Sequence, residues 1–232
     1  HSEPSLSGIT FTARRGETVG IIGSTGSGKS TLVNLIPRFY DASDGKVQVF
    51  GRDVRSYTPD ALREQIAIVP QKAVLFKGTI RDNLRWGNEN ATDEELWQAL
   101  ETAQAAEVVR GKEGELDASV EQGGVNFSGG QRQRLTIARA LVRRPKILIL
   151  DDSSSALDYK TDAALRKALA ENLQNTTVVT VAQRVSSVKD CDLIIVLSEG
   201  RIIGIGSHDV LLSSCEEYRE ISESQMGGAF VE

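Results

Sequence analysis

Apolar residues are spaced in two ways along this chain, and the spacing changes twice. Residues 17–23, Glu-Thr-Val-Gly-Ile-Ile-Gly, form a short β-branched stretch that ends in glycine and runs into a polar, glycine-rich turn and a helical pattern. This predicts strand, loop, helix. Residues 46–50, followed by Gly51-Arg52-Asp53-Val54, predict a strand and hairpin, and Ile66–Val69, closed by Pro70, predicts another short strand. Between Lys72 and Arg144 the period becomes helical. Thr92 and Glu95 form a capping box opening residues 93–100, where Leu96, Ala99 and Leu100 supply an apolar stripe. After Pro145 the strands return. Residues 147–150, 177–181 and 193–197 are continuous apolar runs, as strands covered on both faces require, with a helix near residues 161–173 among them. The frame is α/β with a helical insertion. No repeat or low-complexity linker interrupts it, so the insertion is expected to dock on the core.

Composition narrows this frame. The chain has 232 residues, 40% hydrophobic and 25% charged, enough to bury a real core and unlike a disordered or fibrous chain. A net charge of −5 with 5% aromatics suggests neither a basic nucleic-acid face nor a stacking platform, so no nucleic acid is expected as a direct partner. Cys191 and Cys215 are too few and too far apart for a disulfide framework and suit a reducing cytoplasm. The longest apolar runs are of strand length, far below the roughly 18–20 residues that span a bilayer. The chain opens His1-Ser2-Glu3-Pro4 without an initiating Met, and is expected to be a piece of a longer polypeptide.

Three motifs carry chemistry. Gly23-Ser24-Thr25-Gly26-Ser27-Gly28-Lys29-Ser30 fits the phosphate-loop pattern GxxxxGK[ST] between a strand and a helix. Its glycines let backbone N–H groups close around phosphate, Lys29 adds a point charge, and the Ser30 hydroxyl can ligate Mg²⁺. Residues 147–151, Ile-Leu-Ile-Leu-Asp, then deliver Asp151 at a buried strand end as the expected metal partner. Asp152 follows, placed to act on an attacking water or on the ion's hydration shell. Asn126-Phe127-Ser128-Gly129-Gly130-Gln131 is a second glycine-rich helix start, ahead of an apolar stripe of Leu135, Ala138, Leu141 and Val142. One chain has no evident need of two such cradles, which suggests that the second meets phosphate held by another copy or a partner.

With these residues the chain resembles the nucleotide-binding domains of the ATP-binding cassette (ABC) family. The resemblance covers nearly the whole chain: residues 23–31, through Thr31, as Walker A, Gln71 as the Q-loop glutamine, residues 127–131 as the signature, 147–151 as Walker B and Ser155-Ala156-Leu157-Asp158 as the D-loop. It implies a P-loop NTPase fold: an α/β core with a mostly parallel sheet at about residues 1–71 and 145–232, an antiparallel β subdomain, and an inserted α-helical subdomain at about 72–144. Leu75-Phe76-Lys77-Gly78-Thr79-Ile80-Arg81-Asp82-Asn83 resembles the exporter branch, in which the Q-loop region meets coupling helices of the membrane domain. The implied ligands are ATP and Mg²⁺, with Ser30, Gln71 and Asp151 on the metal. Residues 23–31 would hold the nucleotide of this chain, and Ser128, Gly129, Gly130 and Gln131 that of a second subunit. The implied place is the cytoplasmic face of the cell membrane, beside a transmembrane domain of the same polypeptide. The family's adenine-stacking aromatic would fall upstream of His1.

Departures from the family pattern shape the remaining expectations. Asp152 stands where most exporters have a catalytic glutamate, and Gln183 where the family has a switch histidine. The shorter side chain withdraws the carboxylate by roughly 1 Å, and a misplacement of about that size can cost on the order of 100-fold in rate. Glutamine can donate to a γ-phosphate but cannot titrate near neutral pH. Residues 119–124 also depart from the usual exporter stretch, whereas the signature changes only at Phe127. The chain therefore resembles the degenerate-site half of a heterodimeric exporter, with Asp152, Gln183 and Gln71 in the catalytic positions. A regulatory ATP clamp with negligible turnover and a soluble, non-transport ABC ATPase are the competing readings.

Overall fold

The computed structural model describes residues 5–228; His1–Pro4 lie outside the described residues. In chain order the elements are β1 (Thr18–Gly23), α1 (Lys29–Asn34), β2 (Gln48–Val49), β3 (Arg52–Asp53), α2 (Pro59–Arg63), β4 (Ile66–Val69), β5 (Gly78–Thr79), α3 (Ile80–Arg85), α4 (Asp93–Thr102), α5 (Ala106–Arg110), β6 (Ser119–Val120), α6 (Gly129–Val142), β7 (Ile147–Asp151), α7 (Tyr159–Asn172), β8 (Thr177–Ala182), β9 (Leu193–Ser198), β10 (Arg201–Gly206), α8 (His208–Ser214) and α9 (Glu216–Gly228).

Six strands form one sheet in the order β10-β9-β1-β8-β7-β4, parallel except for β10, which runs antiparallel to β9. Because strand side chains alternate in direction, a strand covered on both faces must be apolar throughout. Three of the inner strands show this. One sheet face carries Val19, Ile21, Ile149, Val179, Val181, Ile195 and Leu197 into a cluster with Leu32, Val33 and Leu62. On the other face Leu148, Leu150 and Val178 pack with α3, α4, α6 and α7, while Ile22, Ala182, Ile194 and Val196 pack under α8 and α9. Each fully buried Leu, Ile or Val in these layers contributes about 1.5–3 kcal/mol.

The helices obey their local signals, with corrections. Leu96, Ala99 and Leu100 of α4 are buried, as are Leu135, Ala138, Leu141 and Val142 of α6. Thr92 caps α4 by accepting from the Glu95 N–H at 3.2 Å, but Glu95 does not complete the box; its carboxylate pairs with Arg144 at 3.6 Å. Two-sided boxes form instead at α3, between Thr79 and Asp82, and at α6, between Ser128 and Gln131. Helix α7 starts two residues earlier than the spacing predicts, because Asp158 accepts from the Thr161 N–H at 2.7 Å. The hairpin at residues 46–54 shrinks to two-residue strands, since Phe50 takes a left-handed φ of 53° that ends β2. Within the helical stretch β5 and β6 form a short antiparallel pair that the periodicity does not show.

Candidate functional site

Parallel strands in register end together, and ligands of open α/β sheets gather at their carboxyl ends. Here Ile22 pairs with Ala182, Asp151 with Val181 and Val69 with Leu150. The chain leaves β1 at Gly23, β7 at Asp151, β8 at Ala182 and β4 at Val69, so the phosphate loop, Asp152, Gln183 and Gln71 all emerge from one edge.

The phosphate loop is an open turn closed by its own lysine. Gly26 (φ 79°) and Gly28 (φ 103°) adopt left-handed backbone, and Gly28 stands at the start of α1 without any side-chain cap. The orphan N–H groups of that first turn are therefore available to an acceptor from outside. Ser24, Thr25 and Gly26 are exposed while Ser27 is buried. Lys29 Nζ donates to the carbonyl oxygens of Gly23 (2.6 Å) and Ser24 (2.9 Å). Burial lowers its pKa, against the raising influence of Asp152 and then Asp151. A half-buried cation beside uncapped N–H groups, with no acidic residue in the first helical turn, fits a polyanionic phosphate chain.

The carboxylate side faces this loop. Ser30 Oγ donates to Asp151 Oδ1 at 3.2 Å, bringing the hydroxyl and the carboxylate expected around a magnesium ion into contact. Gln71 Nε2 donates to Asp152 Oδ2 at 3.1 Å, which leaves Gln71 Oε1 as the free end of the amide. Hydroxyl, carboxylate and amide oxygens are the hard donors that Mg²⁺ takes. An all-oxygen donor set of this kind does not suit a soft transition metal. Burial raises the Asp151 carboxyl above its ordinary range, opposed by the Ser30 hydrogen bond and by Lys29. Burial and then the Asp151 charge raise Asp152. Asp152 also sits at a left-handed φ of 53°, held by its N–H donating to the Val181 carbonyl at 2.8 Å.

Gln183 follows β8 with its side chain exposed. Its neighbour Arg184 turns away, donating to the Leu157 carbonyl at 2.8 Å and lying over the Tyr159 ring at 4.6 Å. Beneath, Ser187 Oγ donates to the buried Asp162 at 2.7 Å and lies 3.4 Å from Ser154 Oγ. Arg184, Ser187 and Asp162 carry no spacing signal that the sequence reading could have used, because their partners are brought in from 25 to 33 residues away.

The second glycine-rich stretch opens α6 with a complete capping box. Gln131 N–H donates to Ser128 Oγ (3.1 Å) and Ser128 N–H donates to Gln131 Oε1 (3.0 Å). Phe127 is buried, with Lys112 Nζ 4.6 Å from its ring centre. A Cβ on Gly130 would come within 3.2 Å of the Ala156 carbonyl, whereas Gly129 faces almost open space. The fold thus brings Gln71, Asp151, Asp152 and the phosphate loop together, while Ser128 and Gln131 bond each other at the start of α6.

Comparison with known proteins agrees with this geometry. The family model described as ABC transporter matches residues 6–155. An uncharacterized ABC transporter ATP-binding protein of Mycobacterium tuberculosis is 48% identical over 231 residues, 98% of this chain and 39% of that protein. An ATP-dependent lipid A-core flippase of Desulfotalea psychrophila is 41% identical over 97% of this chain and 39% of its own length. A solved bacterial Atm1-family ABC exporter with ATP bound superposes with a TM-score of 0.91 at 36% identity, covering 95% of this chain and 39% of that one. The chain thus spans about two fifths of the length of these relatives. With a phosphate loop, a half-buried strand-end aspartate and a capped signature helix on a mostly parallel sheet, the chain belongs to the ABC transporter family, as one of its ATP-binding domains.

Proposed function

We propose that the chain binds MgATP at the strand-end site and, closed against a second ABC subunit, hydrolyses it to drive export by a transmembrane domain of the same polypeptide at the cytoplasmic face of the cell membrane. The observation that carries this reading is the contact of Ser30 with Asp151, 3.2 Å apart, directly beside Lys29. Residues 23–31 cradle the phosphates, and Ser30, Gln71 and Asp151 hold the ion. Mg²⁺, when bound, supplies positive charge beside the phosphates. Asp152 orients the attacking water and accepts its proton, Gln183 donates a hydrogen bond to the γ-phosphate, and Ser128, Gly129, Gly130 and Gln131 serve the nucleotide of the other subunit. Gln131 takes part through the helix start that its own capping bond stabilises.

Asp152 is the short carboxylate and already accepts from Gln71, and Gln183 cannot titrate; both support a slow site in this chain. The intact signature supports a heterodimer in which a different subunit carries the faster site. The same Gln71–Asp152 bond favours the regulatory ATP clamp as a second reading.

A membrane partner is supported by a cleft of about 300 Å³ between β4, α3 and α6, lined among others by Phe76, Trp86, Arg139 and Arg143. Trp86 is 73% exposed and its ring centre lies 5.1 Å from that of Phe76, over which the Arg139 guanidinium sits at 5.5 Å. Phe76 belongs to the stretch of residues 75–83 that resembles the exporter branch, in which the Q-loop region meets coupling helices of the membrane domain. No helix of the described residues is long and apolar enough to cross a membrane itself.

The test is MgATP affinity and single-turnover hydrolysis of the chain and of Asp151→Asn. Weaker magnesium-dependent binding and lost hydrolysis in the variant are expected; equal values in both proteins would remove the strand-end site from the reaction.

A further inference from the structure

The C-terminal helix reaches back to the switch position. Gln225, near the end of α9, accepts from the Val185 N–H through Oε1 at 2.8 Å, and its Nε2 donates to the Gln183 carbonyl oxygen at 2.7 Å. One side-chain amide thus brackets Arg184, satisfying a donor and an acceptor of the backbone on either side of it. The orientation of the amide is fixed by its partners: reversed, it would set N–H against N–H and C=O against C=O.

The helix is itself firmly seated. Tyr218, Ser222 and Gln225 are spaced by four and three residues and share one face of α9. Tyr218 is wholly buried, and its ring packs with Val185 and Val188 below the switch segment. Its hydroxyl is 2.7 Å from His208 Nδ1 on α8. From the other side, Arg184 ties the same segment to the Leu157 carbonyl. With its backbone held on both sides, the side chain of Gln183 is the free element of the segment, exposed at the edge that carries Lys29 and Asp151.

We propose that Gln225 is a positioning residue for ATP hydrolysis: from the C-terminal helix it fixes the backbone that aims Gln183 at the γ-phosphate. The proposal rests on the reading that Gln183 donates to that phosphate. It assigns α9, which carries no motif, a part in the chemistry of the strand-end site.

The experiment is single-turnover hydrolysis with the chain in excess over ATP, so that its own site is read, together with MgATP affinity and melting temperature. The proteins are wild type, Gln183→Ala, Gln225→Leu and the double variant. Gln183→Ala and Gln225→Leu are each expected to slow turnover roughly tenfold with affinity within about twofold, and the double variant to be no slower than Gln183→Ala alone. Gln225→Glu, which keeps the acceptor for Val185 and loses the donor to Gln183, is expected to lie between Gln225→Leu and wild type, and it carries the comparison should the leucine variant fail to fold. Wild-type turnover in both Gln225 variants beside a slow Gln183→Ala would overturn the proposal while leaving the role of Gln183 intact. Multiplying defects in the double variant would overturn it too, since Gln225 would then act independently of Gln183. Wild-type turnover in Gln183→Ala would remove the reading of Gln183 and the proposal with it.

Discussion

Gln71 and Asp152, 81 residues apart in sequence, share a hydrogen bond of 3.1 Å across the ends of β4 and β7. The amide that would serve the metal and the carboxylate that would serve the water are therefore directly coupled. Asp152→Glu is expected to raise the basal hydrolysis of the self-associated chain, because the extra methylene restores about 1 Å of reach. Phosphate release measured for Asp152→Glu and Asp152→Ala checks this. If neither differs from wild type, residue 152 lies away from the reacting water.

Asp152 also bears on stability, with a sign that can be worked out. Burial and the Asp151 charge raise its folded pKa, so between the unfolded and folded values the folded chain binds more protons than the unfolded one. Its contribution is then fully present below the unfolded carboxylate value and is lost as pH rises through the folded one. Asp152→Asn, which can still accept from Gln71, is expected to melt above wild type at pH 7.5, with the gap closing as pH falls toward 4. Melting curves across that range check it; an unchanged gap would show that ionisation of Asp152 costs the fold nothing.

Lys29→Ala is expected to weaken MgATP binding by on the order of 100-fold, about 3 kcal/mol, since charge-assisted bonds to phosphate disappear. Calorimetric titration reads this directly. The same change leaves the carbonyls of Gly23 and Ser24 without their donor, so the free loop should also become more accessible to protease.

Two glycines of the loop should fail differently. A Cβ on Gly23 would collide with the Leu197 carbonyl oxygen of the adjacent strand, a backbone atom that cannot step aside. Gly26 faces open space and requires only its left-handed φ of 79°. Gly26→Ala is expected to cost about 1 kcal/mol of stability and Gly23→Ala about 2–4. Urea unfolding of both variants separates the two; equal losses would contradict the packing described at the end of β1.

At the second helix start, capping and ligand recognition can be separated. Ser128→Ala removes the α6 cap and should lower stability by about 1 kcal/mol as well as depress ATPase of the assembled pair. Ser128→Asp keeps a capping oxygen but sets a negative charge where phosphate is expected, so near-native melting with lost ATPase is anticipated. Retained ATPase in Ser128→Asp would remove phosphate from this helix start.

The parts legible in the sequence were those whose signal is local. Three continuous apolar runs predict β7, β8 and β9, the short run closed by Pro70 predicts β4, and the glycine-lysine-serine spacing predicts the phosphate loop. Strand β10 was missed because, as the antiparallel edge, it has no buried residue and is broken by a bulge between Ile202 and Gly204. The pairing of β5 with β6 joins Gly78 to Val120 over two residues only, too little for a period to register. Glu95 has the spacing of a capping partner, yet Arg144, brought near by tertiary packing, takes its carboxylate. Gln225 is the clearest case of what pattern cannot show: on α9 it is one polar residue among many, and its meaning comes from a turn 40 residues away.

Strand β1 has a further consequence, for the timing of assembly. Its partners are β8 and β9, with Thr18 opposite Val178 and Val19 opposite Leu193. While the chain is being synthesised, a product that has reached α7 contains every residue of the phosphate loop and neither strand that holds β1 in line. Pairings across such separations form slowly, and until they do the apolar β1 and β7 lack the cover of β8. On the proposed reading, ATP at this site would stabilise molecules that have already docked their C-terminal strands, and would reward completed folding rather than guide it.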